Sequence, residues 1–143
     1  MMTMKAILVA VDGSATSDRS VQHALSLIAS GLATELHLLN VQPHLSGGVS
    51  SFVSREQIES HHRDEGNKAL ASAVEIARKA GVPAKVHIGV GRQGEIVANF
   101  AKKLGAGAVV LGTRGHTGLA GVLLGSVAQD VIAHSQVPVT LVK

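Results

Sequence analysis

The chain of 143 residues has no cysteine, tryptophan or tyrosine, and its only aromatic residues of the Phe, Trp and Tyr type are Phe52 and Phe100. Without thiols there is no disulfide framework and no thiolate zinc site, which fits a reducing compartment. With two phenylalanines there is almost nothing on which unpaired bases could stack. No apolar run approaches the ~18 residues that a membrane span needs. The first residues, Met1 to Lys5, run straight into an apolar stretch and show no signal-peptide pattern. A soluble, cytoplasmic protein is expected, with no membrane partner.

Charge excludes a further class. Lys and Arg total 13 against 10 Asp and Glu, a net charge of +3, and no basic run is longer than two residues. Scattered positive charge without aromatics does not make a nucleic-acid surface, so no nucleic-acid partner is expected. The length suits one domain, spanning 1–143, with enough chain to bury a core unaided.

What is present is alternation. Ala6–Val11 is a continuous apolar run, as a buried central strand should be, and Asp12-Gly13-Ser14 breaks it. A helix follows, with Val21, Ala24, Leu25, Ile28 and Leu32 on one face. Residues 35–41 read as a second strand and residues 42–54 as a polar loop. Helical periodicity returns from Arg55 to Ala80, with Ile58, Leu70, Ala73, Val74 and Ala77 inward. Residues 84–88 read as strand three. Ile96, Val97, Phe100, Ala101 and Leu104 mark a helix, and residues 108–111 read as strand four. The last helix, 127–133, has Val127, Val131 and Ile132 on one side, and residues 138–142 form strand five. Strands joined by helices lie parallel with right-handed crossovers, so the expected fold is a doubly wound α/β sheet.

Strand four runs into Gly112-Thr113-Arg114-Gly115, followed after nine residues by Gly125-Ser126 and the last helix. Glycines allow a phosphate close to the backbone, and the unpaired N–H groups of a helix start point at it. The spacing Gly-x2-Gly-x9-Gly-Ser is far more particular than a lone glycine loop and points to nucleotide binding. In a doubly wound sheet the ligand sits beyond the carboxyl ends of the strands, where Asp12, Val41 and the Gly112 loop all emerge.

Over essentially its whole length the chain resembles a universal stress protein. The features that carry the likeness are Val9-Ala10-Val11-Asp12-Gly13-Ser14, Leu39-Asn40-Val41, the glycine motif, and Pro138-Val139 at the close. The motif matches the family's nucleotide-binding branch. The resemblance implies a five-stranded parallel sheet ordered 3-2-1-4-5 and an ATP-binding homodimer in stress response. It places Asp12 on the ribose or on a Mg²⁺-bound water and backbone groups of Val41 on the adenine edge. Ala10 and Leu111 fall near the base and sugar, and Gly112, Gly115, Gly125, Ser126 and Val127 along the ribose and phosphates. Arg114 and His116 are either phosphate-reaching or solvated loop residues. A carboxylate beside a triphosphate needs a hydroxyl or a cation as partner, which favours the same role for Asp12. The plainer alternatives are that Asp12 only caps a βα turn and that Ser126 serves only as a helix N-cap, a role compatible with phosphate binding.

Other motifs fail on context. Gly89-x-Gly91-x-x-Gly94 matches the dinucleotide fingerprint, but no Asp or Glu occurs between Glu95 and Asp130 to hold a ribose. A strand-to-helix turn is the expectation. Ser46-Gly-Gly-Val-Ser-Ser51 looks like a pyrophosphatase loop but follows the second strand and lacks its aspartate. The chain has 8 histidines, but His61 and His62 lack a convergent third ligand and are expected on a solvated helix face.

No general base is apparent beside the phosphate loop. Three functions remain open: an ATP-binding module read by an unidentified protein partner, a slow ATPase switch, and a nucleotide-free structural dimer. The last strand, with Val139 and Leu141, is an apolar edge, and the family pairs there across a two-fold axis.

Overall fold

Ala6 to Val9 have no solvent-accessible surface, and the strand they belong to, β1 (Met4–Ala10), occupies the middle of a five-stranded sheet. The computed structural model describes residues 4–45, 47–114 and 124–143. After β1 come α1 (Ala15–Ala29), β2 (Ala33–Gln42), a single turn α2 (Gly47–Ser50), α3 (Arg55–Lys79), β3 (Ala84–Val90), α4 (Gln93–Leu104), β4 (Ala106–Gly112), α5 (Ser126–His134) and β5 (Val139–Val142). Every strand pair is parallel and the order is β3-β2-β1-β4-β5, as the resemblance implies.

Side chains alternate between the two faces of the sheet. Ile7, Val9, Leu36, Leu38 and Val110 pack with Val21 and Ala24 of α1 and Leu70, Ala73 and Ala77 of α3. Leu8, Leu39, Val41, Val109 and Leu111 pack with Val97 and Ala101 of α4 and Ala128 and Val131 of α5. Both faces are therefore covered, which is why the central strands read as unbroken apolar runs. Local signals set the helix ends. The Ser14 hydroxyl accepts from Ser17 N–H at 3.1 Å to start α1. Ser54 and Gln57 form a reciprocal capping box at the start of α3. Gly105, with φ of 64°, ends α4 in a left-handed cap.

The structure corrects several expected faces. Leu32, Val74, Val127 and Ile132 are exposed. Leu32 lies past the end of α1. The buried stripe of α3 is a narrow one, His62, Gly66, Leu70, Ala73 and Ala77, and Val74 falls beside it. At Gly66 a Cβ would come within 2.7 Å of Ile88 Cδ1, so the helix rides close on β3. His62 accordingly leaves the expected solvated face: it is 7% exposed, and its Nε2 pairs with the Pro43 carbonyl at 3.1 Å. Within residues 42–54, read as loop, the strand extends to Gln42 and α2 adds one helical turn. Among the described residues no helix is long and apolar enough to cross a membrane.

Candidate functional site

The chain winds from β1 to β2 on one side and crosses to β4 on the other, so the switch point lies between β1 and β4. The register pairs Val9 with Val110 and Ala10 with Leu39. This brings the carboxyl ends of three strands level. Ala10, Val41 and Leu111 all belong to the α4 and α5 face of the sheet. Val41 and Leu111 are buried and Ala10 is half-buried, so these three form an apolar floor.

Asp12 follows β1 directly. Its Oδ1 accepts from Ser14 N–H at 2.9 Å, and its own N–H donates to Ser17 Oγ at 3.2 Å. The turn role is therefore real, and half-burial leaves the carboxylate within reach of the strand ends. The strand beneath is held by a residue with no local sequence signal. Asn40 Nδ2 donates to the Val11 carbonyl at 2.7 Å, and Gln42 Nε2 donates to Asn40 Oδ1 at 2.6 Å.

The two halves of the glycine motif meet. Gly125 N–H donates to Thr113 O at 2.6 Å, and Thr113 N–H donates to Val142 O at 2.9 Å. Gly112 is required by crowding, because a Cβ there would lie 2.5 Å from Thr16 Cγ2 of α1. Arg114 is exposed. Gly115, and His116 with it, lie outside the described residues. Ser126 is not the N-cap: Gly125 takes that position, with φ −69° and ψ 164° and no side-chain cap bond. Ser126 is the first residue of α5. The first intrahelical bond runs from Gln129 N–H to Gly125 O, so the N–H groups of Ser126, Val127 and Ala128 have no intrahelical acceptor. An anion fits there better than with a serine cap already in place.

Beside this turn a cleft of about 490 Å³ is lined by Arg92, Gln93, Ser126, Val127, Gln129, Asp130 and Ala133. Gln93 Nε2 donates to the Val41 carbonyl at 2.9 Å. Asp130 Oδ2 accepts from Gly94 N–H at 2.6 Å, and Oδ1 pairs with Arg92 at 2.9 Å. Burial works to raise the Asp130 pKa, but the Gly94 bond and the Arg92 and His134 charges outweigh it and hold the carboxyl below its usual range. Gly94 belongs to the fingerprint-like Gly89-x-Gly91-x-x-Gly94, which is a strand-to-helix turn as expected.

Two further histidines are placed by strand pairing. The register sets His37 opposite Lys85 and His87 opposite Leu39, so the two rings meet diagonally across β2 and β3, with His37 Nδ1 and His87 Nε2 2.9 Å apart and ring planes 12° apart. His87 also touches Phe100, at 5.4 Å between ring centroids. Burial lowers the His87 pKa, aided by the charges of His37, Lys103 and Lys85. Among the described residues no three His, Asp or Glu side chains are grouped to hold a metal ion.

A family model described as the universal stress protein family matches residues 3–143. A universal stress protein of Methanocaldococcus jannaschii is 34% identical over 142 residues, covering 97% of this chain and 82% of the relative. Among solved structures, the universal stress protein from Archaeoglobus fulgidus in complex with dAMP is 28% identical, with a TM-score of 0.69 over 99% of this chain and 100% of that one. A universal stress protein in complex with cAMP is 26% identical, with a TM-score of 0.74 over 99% of both chains. Sheet order, strand-end turns and near full-length similarity agree, and the chain belongs to the universal stress protein family.

Proposed function

We propose that this chain is an ATP-binding regulatory module of the family's nucleotide-binding branch, a single domain over 1–143 that works as a cytoplasmic homodimer in stress response. The observation that carries the reading is the Gly125–Thr113 bond at 2.6 Å, which sets the Gly112 turn against the start of α5. Phosphate oxygens accept from the N–H groups of Ser126, Val127 and Ala128 and from the Ser126 hydroxyl. Asp12 takes a ribose hydroxyl or a Mg²⁺-bound water. Ala10 and Leu111 border the base and sugar, and Val41 supplies a carbonyl to the adenine edge. Gly115 and Arg114 complete the phosphate path. The two solved relatives carry dAMP and cAMP, and the adenine base and phosphate these ligands share support an adenine nucleotide here.

Among the described residues the site offers binding groups without a paired nucleophile and base, and in this reading occupancy rather than turnover is the signal. A protein partner reads that state. The edge strand β5, with Val139 half-buried and Leu141 exposed, is the surface for the second copy.

The test is the nucleotide content of freshly purified protein, measured by denaturation and chromatography with mass detection. Near-stoichiometric ATP supports the binding module. Mostly ADP replaces it with an ATPase switch. An empty protein that also takes up no Mg²⁺-ATP by calorimetry overturns nucleotide binding and leaves a structural dimer.

A further inference from the structure

Gln93 is the first residue of α4, yet its side chain reaches back to the end of β2. Its Nε2 donates to the Val41 carbonyl at 2.9 Å, and the residue lines the same cleft as Ser126 and Val127. It is half-buried, and its Oε1 accepts no hydrogen bond from another described residue. The amide therefore stands between the carbonyl expected at the base and the helix start expected at the phosphates. We infer that Gln93 is a base-selecting residue, which reads adenine together with the Val41 carbonyl and disfavours guanine.

The inference rests on the nucleotide-binding reading and adds a residue to it. A primary amide has two N–H donors and a carbonyl acceptor. One N–H is committed to Val41 O, and this bond fixes which end of the amide faces which way. The second N–H and Oε1 then form a donor and acceptor side by side. Adenine offers the matching pair, an amino donor next to a ring-nitrogen acceptor, which is the pattern that Gln reads bidentately. The Val41 carbonyl keeps a second lone pair for the same amino group. A guanine seated in this pose places its O6, an acceptor, against the lone pairs of Oε1 and Val41 O. Two acceptors facing each other in a half-buried site leave polar groups unpaired, and that is the kind of mismatch that discriminates strongly.

The experiment is calorimetric titration of Mg²⁺-ATP and Mg²⁺-GTP into the wild-type chain, Gln93→Ala and Gln93→Met, with thermal melts of all three. Gln93→Met keeps the side chain's length and removes only its polar end. The wild type is expected to prefer ATP. Both variants are expected to weaken ATP by roughly five- to a hundredfold, the span of one bidentate base contact, while GTP is unchanged and the ATP preference collapses. An unchanged ATP-to-GTP ratio in both variants overturns the assignment, whether or not ATP itself binds less well. A wild-type chain that binds neither nucleotide overturns the site and this assignment with it. One that binds ATP while the variants keep its ratio overturns Gln93 alone.

Discussion

The N–H of Gly125 donates to the carbonyl of Thr113 at 2.6 Å, so the cap of the last helix is tied to the turn that leaves the fourth strand. Gly125 itself has φ −69° and ψ 164°, a conformation open to any residue. Gly125→Val therefore leaves the backbone unstrained and sets a branched side chain beside the first amides of α5. ATP affinity should fall by about tenfold or more, the scale of one charge-assisted hydrogen bond, while the melting temperature stays close to that of the wild type. Calorimetry and a thermal melt check both halves. Undiminished ATP binding would remove the helix start from the site.

Asp12 has a turn role and a proposed nucleotide role, which a pair of variants separates. Its Oδ1 accepts the Ser14 N–H at 2.9 Å, and Asn can make the same bond. Asp12→Asn should keep stability and lose affinity for Mg²⁺-ATP. Asp12→Ala should lose the affinity and also about 1 kcal/mol of stability with the turn bond. Equal nucleotide binding by Asp12→Asn and the wild type would reduce Asp12 to a turn residue.

The His37–His87 pair gives stability a pH dependence with a definite sign. With both rings neutral, one nitrogen donates and the other accepts across 2.9 Å. Burial lowers the His87 pKa below its ordinary 6.5, so the unfolded chain takes up this proton more readily than the folded one. The His87 contribution is intact above 6.5 and is lost as pH falls toward the folded pKa. Urea melts between pH 8 and 5 should show the decline, and His87→Gln should flatten it. An equal slope in the variant would assign the decline to other groups.

For the proposed dimer, Leu141→Lys is the informative change. Leu141 is exposed on β5, at the edge of the sheet, and lysine is a common guard of open edges. Sedimentation should show a dimer for the wild type and a monomer for the variant at micromolar concentration. A variant that remains dimeric would move the interface elsewhere.

The fold was legible because both faces of the sheet are covered: runs such as Ala6–Val11 carry no polar alternation, and a doubly wound sheet is what such runs demand. The strand order came from resemblance, since nothing in the periodicity ranks neighbours. Helix faces were less legible. Val74 matches the apolar period of α3, but the helix buries only a narrow stripe, and His62 belongs to it by its spacing of four from Gly66. At the site, glycine spacing located the turn, while the choice between Gly125 and Ser126 as cap depended on backbone angles. Gln93 was invisible because its meaning lies in a carbonyl 52 positions away in the chain. His37 and His87 meet through strand register, which no local pattern encodes.

Asp130 gives the fingerprint-like glycine turn a different fate from the one at Gly125. Both turns open a helix with backbone amides. At α4 the chain supplies its own anion, for the Asp130 carboxylate holds the Gly94 N–H at 2.6 Å, and the missing Cβ at Gly94 lets the Asp130 backbone lie against it. A tethered carboxylate is present at an effective concentration of the order of millimolar or above, so a free phosphate competes poorly for that position. The domain thus has two look-alike turns, of which the one at α4 is satisfied from within by Asp130, so the proposed phosphate position at α5 has no competitor at the neighbouring helix start.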